Sequence, residues 1–151
     1  MERVDRAAGY FVDGFNCAQS VLAAFGPDCG LDRDSCLRVA APFGGGVSRT
    51  DGMCGAATGA ILALGLVLGH CDPDDEAGQD RIRALTRSFL ARFAARLGST
   101  RCTDILGYDL SRPGVAEMVK AEGLSLEPCP AAVKTAAELL VEMLDDGPTG
   151  P

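Results

Sequence analysis

Ile82, Leu85, Phe89, Phe93 and Leu97 follow one another at spacings of three or four residues. That is the period of an α-helix with one apolar face, and such a helix must lay that face against a core. No stretch elsewhere has the strict apolar–polar alternation of a half-buried strand. Glycine and proline instead punctuate a helix–turn–helix rhythm along the whole chain. The expectation is an all-α fold: a compact multi-helix bundle with short loops and no significant β-sheet.

The boundaries follow from the same signals. Residues 1–147 read as a single helical domain and 148–151 as a frayed C-terminal tail, since there is no internal repeat and no long linker. A first helix covers Glu2 to about Asp13 and breaks at Gly14. Asn16, with Gln19 three residues on, is an N-cap with a capping box, opening a helix to about Phe25. "GPDCGLD" forms a turn, and Asp32 caps a short helix that stops at Pro42. The longest apolar helix is expected from about Gly52 to Leu68 with Asp51 at its start. A charged one follows from Asp74 to about Leu97. Ser99 or Thr100 caps a short helix, Pro113 opens another to about Ala121, and "EPCPAAVKTAAELLVEML" opens the last.

Charge narrows the range of functions. The net charge is −7, which opposes a polyanionic partner. Six arginines lie between Arg81 and Arg101, but acids flank them, so a solvated helix face is expected and no nucleic-acid partner. The uncharged run from Ala56 to Gly69 is shorter than the roughly 20 residues that span a bilayer. The chain is therefore not expected to be an integral membrane protein. The start "MERVDRAAGYF" has no apolar h-region, so a cytoplasmic location with reduced thiols is expected.

The seven cysteines are the chemically informative residues. Cys17 follows the Asn16 cap, Cys54 falls just after Asp51, Cys102 just after Thr100, and Cys129 lies between Pro128 and Pro130. All four are expected at helix N-termini, where free N–H groups and a partial positive charge lower a thiol's pKa. Each of them alone could be a small buried hydrophobe, but four on four helix starts suggest convergence on one place in a bundle. Cys29, Cys36 and Cys71 read as structural. No CxxC occurs, so neither a zinc ribbon nor a thioredoxin-like dithiol is signalled. His70 is the one histidine, and it lies at the other end of the apolar helix from Cys54. At 1.5 Å per residue that is roughly 24 Å, too far to activate that cysteine.

Gly44, Gly45 and Gly46 precede a helix but lack the GK[ST] signature of a phosphate loop. They fit better as backbone crowding a centre and offering N–H groups to its sulfurs. Gly55 and Gly59 permit close approach of a neighbouring backbone or an inorganic cluster.

At "CGAATG" the chain resembles the small bacterial and archaeal proteins named for the pattern C_GCAxxG_C_C, which are described as redox-active. "FNCAQSVLAAFG", "FGGGVSRTDGMCGAATGA", "RCTDILGYDL" and the segment around Cys129 occur in the family's order and cover nearly the whole chain. The resemblance implies a helical fold with Cys17, Cys54, Cys102 and Cys129 as the key cysteines in a redox or metal role.

An iron–sulfur cluster on these four thiolates, for electron transfer or redox sensing, is the leading expectation, with Gly44, Gly45, Gly46, Gly55 and Gly59 around it. Zinc is equally satisfied by four thiolates, so a zinc-stabilised helical interaction module stays open. Metal-free thiol–disulfide exchange by the same cysteines is the other alternative. No acid–base constellation defines an enzyme, and an oxidoreductase or electron carrier both remain open. The redox partner is unidentified from sequence, and so is whether the chain forms a homodimer.

Overall fold

A computed structural model describes residues 2–145. Among them are eight right-handed helices: α1 (Glu2–Val12), α2 (Cys17–Phe25), α3 (Arg33–Ala40), α4 (Gly55–Leu68), α5 (Glu76–Leu97), α6 (Cys102–Leu106), α7 (Val115–Ala121) and α8 (Pro128–Asp145). The only β-type pairing among the described residues is an isolated bridge between Met53 and Arg101. The all-α expectation holds; the tail expected at 148–151 lies outside the described residues.

The centre of the bundle is α2, in which Ala18 and every residue from Ser20 to Phe25 are buried. It packs against α1, α3, α4 and α8. Its start is the capping box read from sequence. The Asn16 side-chain oxygen accepts from the Gln19 amide at 2.9 Å, and the Gln19 side chain accepts from the Asn16 amide at 3.1 Å. Together they satisfy two helix-end donors, and such a cap contributes about 1 kcal/mol. Asn16 also donates to the Ala41 carbonyl at 3.0 Å, which ties the cap of α2 to the end of α3.

Small residues let α4 press against α2. A Cβ added at Gly59 would stand 2.6 Å from the Ala18 carbonyl oxygen, so no larger residue fits without moving backbone. The apolar stripe of α5 faces the core as its period demands. Phe89 and Phe93 are fully buried with ring centroids 5.7 Å apart, and Ile82, Leu85 and Leu97 flank them partly buried. Burial of each phenylalanine is worth about 2–3 kcal/mol.

The segment Gly44–Arg49 departs from expectation. Gly45, Gly46, Val47, Ser48 and Arg49 all have positive φ, between 53° and 69°, and wind a short left-handed turn. Side chains other than glycine pay about 1–2 kcal/mol each in this region. Hydrogen bonds offset the strain: Ser48 donates to the Pro42 carbonyl at 2.7 Å, Thr50 to the Val47 carbonyl at 2.7 Å, and the Gly52 amide to the Gly46 carbonyl at 2.9 Å.

This turn corrects the expected start of α4. Asp51 itself has φ 60°, and the helix begins only at Gly55 with Cys54 as its N-cap. The Asp51 carboxylate instead accepts from Arg101 at 2.7 Å and from the Thr103 hydroxyl at 2.6 Å. The cap of α6 is likewise Arg101 rather than Ser99 or Thr100. Ser99 accepts from the Arg101 amide at 3.0 Å and donates to Asp104 at 2.7 Å, supporting the helix from outside. Pro113 stands before α7 without opening it, because Gly114 intervenes in a left-handed conformation.

Candidate functional site

Four separate chain segments each deliver a cysteine to a helix start. Cys17 is the first residue of α2, Cys54 the N-cap of α4, Cys102 the first residue of α6 and Cys129 the second residue of α8. Two of these segments are fastened together by backbone. The Cys54 amide donates to the Thr100 carbonyl at 2.7 Å, and the Cys102 amide to the Gly52 carbonyl at 3.0 Å. Gly46 completes the join: a Cβ there would stand 2.7 Å from the Cys102 Cβ.

All four cysteines line one cavity of about 260 Å³. Gly45 and Gly55 lie on the same lining, as do Ile105, Leu106, Leu110, Val119 and Leu126, which give it an apolar wall. Gly44 lies against the Asn16 side chain and Gly59 against α2, so these two shape the packing of α2. No disulfide joins any of the seven cysteines.

The four thiols are not electrostatically alike. The Cys17 thiol acts as donor to a thiolate on Cys129, which lowers the Cys129 pKa against the opposing effect of burial. The same contact, followed by burial and by the charges of Cys129, Cys54 and Cys102, pushes Cys17 well above the ordinary thiol range. Burial raises Cys54, although the amides of Ala56 and Ala57 at the start of α4 act in favour of its thiolate. Burial, with Cys54, Cys129, Asp51 and Asp109 behind it, pushes Cys102 up to about 12.

Helix starts alone therefore do not lower these pKa values as the sequence reading expected. Desolvation disfavours the charged form and is the largest cause at Cys54 and Cys102, whereas at Cys17 the contact with Cys129 comes first. A first negative charge in the quartet falls on Cys129.

The remaining candidates lie elsewhere. Cys36 is fully buried and its thiol donates to the Leu31 carbonyl at 3.3 Å, a packed structural residue. Cys71 and His70 are exposed, and neither lines the cavity. Among the described residues, no group of three or more His, Cys, Asp or Glu side chains is drawn together as ligands of one metal ion. Sequence reasoning missed the apolar part of the lining and the two cations on that lining, Arg49 and Lys120. Lys120 carried a faint signal, being one of two lysines in the chain. Arg49 carried none, because a left-handed turn is what aims it.

A family model described as "Putative redox-active protein (C_GCAxxG_C_C)" matches residues 15–143. No curated protein and no solved structure matches the chain. Among the described residues, no helix is long and apolar enough to cross a membrane.

Proposed function

This chain belongs to the C_GCAxxG_C_C family, and we propose that it is redox-active, with Cys17, Cys54, Cys102 and Cys129 as its redox centre, holding an iron–sulfur cluster in the cavity they line. The observation that carries this reading is the meeting of four thiols, from four segments far apart in sequence, on a single cavity. The donor set suits the group, since iron–sulfur clusters are held by four cysteine thiolates. Zinc is matched by the same four thiolates. A cluster holds its thiolates apart around a larger inorganic core, for which the cavity has volume.

When bound, the cluster supplies one-electron chemistry. The chain's own residues prepare the place for it. The Ala56 and Ala57 amides favour charge on Cys54, and Cys17 favours charge on Cys129. Gly45 and Gly55 leave backbone without side chains on the lining, while Leu106 and Val119 add apolar surface to it. The exposed flank of the cavity is where an electron partner would approach.

A second reading rests on the Cys17–Cys129 contact. A thiolate with a lowered pKa beside a protonated thiol is the arrangement of a dithiol poised for disulfide exchange, with no metal.

Anaerobic purification followed by iron and acid-labile sulfide analysis and an absorption spectrum separates the two. The cluster reading expects a brown protein whose visible absorbance dithionite bleaches, with iron and sulfide lost in a Cys54→Ser variant. A colourless protein without iron, in which mild oxidation removes the Cys17 and Cys129 thiols as a pair, overturns it in favour of the dithiol.

A further inference from the structure

The cavity carries a charge pattern that its cysteines do not explain. Arg49 and Lys120 reach its lining from opposite segments, the left-handed turn and the end of α7. Both residues are exposed, and neither has a carboxylate within ion-pair distance among the described residues. The acids nearest Cys102 are already engaged. Asp51 is paired with Arg101 at 2.7 Å, and Asp109 with Arg112 at 3.5 Å. In a chain of net charge −7, two uncommitted cations on one cavity form a local field opposite in sign to the molecule's own.

Among the described residues, the turn that presents Arg49 holds the longest run of positive φ. Val47, Ser48 and Arg49 hold positive φ in succession, and a Cβ on Gly45 would lie 3.3 Å from the Arg49 Cγ. Strain of this kind is retained where the surroundings over-determine it, as at ligand clamps. Ile105, Leu110 and Leu126 give the lining that the cations share with the sulfurs an apolar part.

We infer that this cavity admits a small anionic organic molecule with an apolar or aromatic body. Its acid group is held by Arg49 and Lys120, and its body lies along Leu110 and Leu126 toward the cysteines. The inference rests on the redox reading of the quartet and names the class of reaction partner that the quartet serves. Neutral molecules of the same shape are served less well, and polyanions such as nucleic acid are excluded by the acidic remainder of the surface.

The test compares two aromatic disulfides on the reduced full chain, purified under argon. One is 5,5′-dithiobis(2-nitrobenzoate), which carries two carboxylates, and the other is the neutral 4,4′-dithiodipyridine. In each reaction a protein thiolate attacks the disulfide, forms a mixed disulfide and releases one aryl thiolate, whose absorbance is followed. A Cys29→Ser/Cys71→Ser background removes the accessible thiols outside the cavity.

The expected result is that Arg49→Gln/Lys120→Gln slows the anionic reagent at least about ten-fold and changes the neutral one less than two-fold. Because Arg49 lies in a strained turn, the chain with both cations intact supplies an independent measurement. Raising the salt concentration slows the anionic reagent and leaves the neutral one unchanged. Thiols that react with both reagents, at rates blind to salt and to the two substitutions, overturn the inference and leave the redox reading standing. Cavity thiols that react with neither reagent overturn the inference; iron found in the same sample then leaves the cluster reading standing, and a sample without iron overturns the dithiol reading as well.

Discussion

Asymmetry among the four thiols has a direct chemical consequence for each residue. Alkylation requires thiolate, so its rate rises as the pH passes upward through a thiol's pKa. Of the four, Cys129, held below the ordinary range by the Cys17 thiol, reacts first as pH increases, and Cys17, Cys54 and Cys102, all raised, react only at higher pH. Replacing the donor tests the cause. Cys17→Ala leaves Cys129 with burial alone, which acts upward, so the pH midpoint for its alkylation moves to higher pH. Cys17→Ser keeps a hydroxyl donor and moves it less. Iodoacetamide labelling across pH, read peptide by peptide by mass spectrometry, measures both. A midpoint unchanged in Cys17→Ala would show that the contact does not govern Cys129. The sequence placed these four cysteines at helix starts, and that much was legible, because caps are local. Their individual pKa values were not, because desolvation comes from side chains brought in by other segments.

At the scale of elements, the left-handed turn between α3 and α4 decides where Cys54 and Cys102 stand. Gly46 has φ 69°, and a Cβ there meets the Cys102 Cβ at 2.7 Å and the Gly52 backbone at 3.1 Å. Gly46→Ala therefore combines backbone strain with overpacking, and costs about 2–4 kcal/mol of stability. Gly107 supplies the control: its φ is 87° but nothing lies within 4 Å of an added Cβ. Gly107→Ala carries the strain alone, about 1–2 kcal/mol. Urea unfolding curves of the two variants measure the difference, and equal losses would show that the Gly46–Cys102 contact yields easily. Three glycines in a row signalled an irregular loop, but nothing local announced that Val47, Ser48 and Arg49 would continue it left-handed. Their conformation depends on the Gly46 carbonyl, which accepts from the amides of Thr50 and Gly52, and on Ser48 reaching back to Pro42.

Across the whole molecule, α5 is tied to α8 by charge as well as by Phe89 and Phe93. Arg96 donates to Glu142 at 2.9 Å and approaches Glu138 at 3.7 Å, and Arg92 donates to the same Glu142. The carboxylate is 41% exposed, so solvent screens much of the attraction. Glu142→Gln is expected to cost about 0.5–1 kcal/mol, a fall of about 1–4 °C in melting temperature for a chain of this length, and less in high salt. A loss that salt does not diminish would assign the effect to packing instead. These pairs also account for part of the arginine-rich segment, whose charges serve a helix–helix contact. The helical class, the capping box of α2, the core stripe of α5 and the placement of four cysteines at helix starts were determined by the sequence itself. Each of these rests on spacings of three or four residues, over which a helix's own geometry acts. Only the tertiary structure decided that the four thiols share one cavity, that Cys129 is the one whose pKa is lowered, and that Arg49 and Lys120 line that cavity with them. Those outcomes depend on burial and field, which arise from residues distant in the chain and have no local signature.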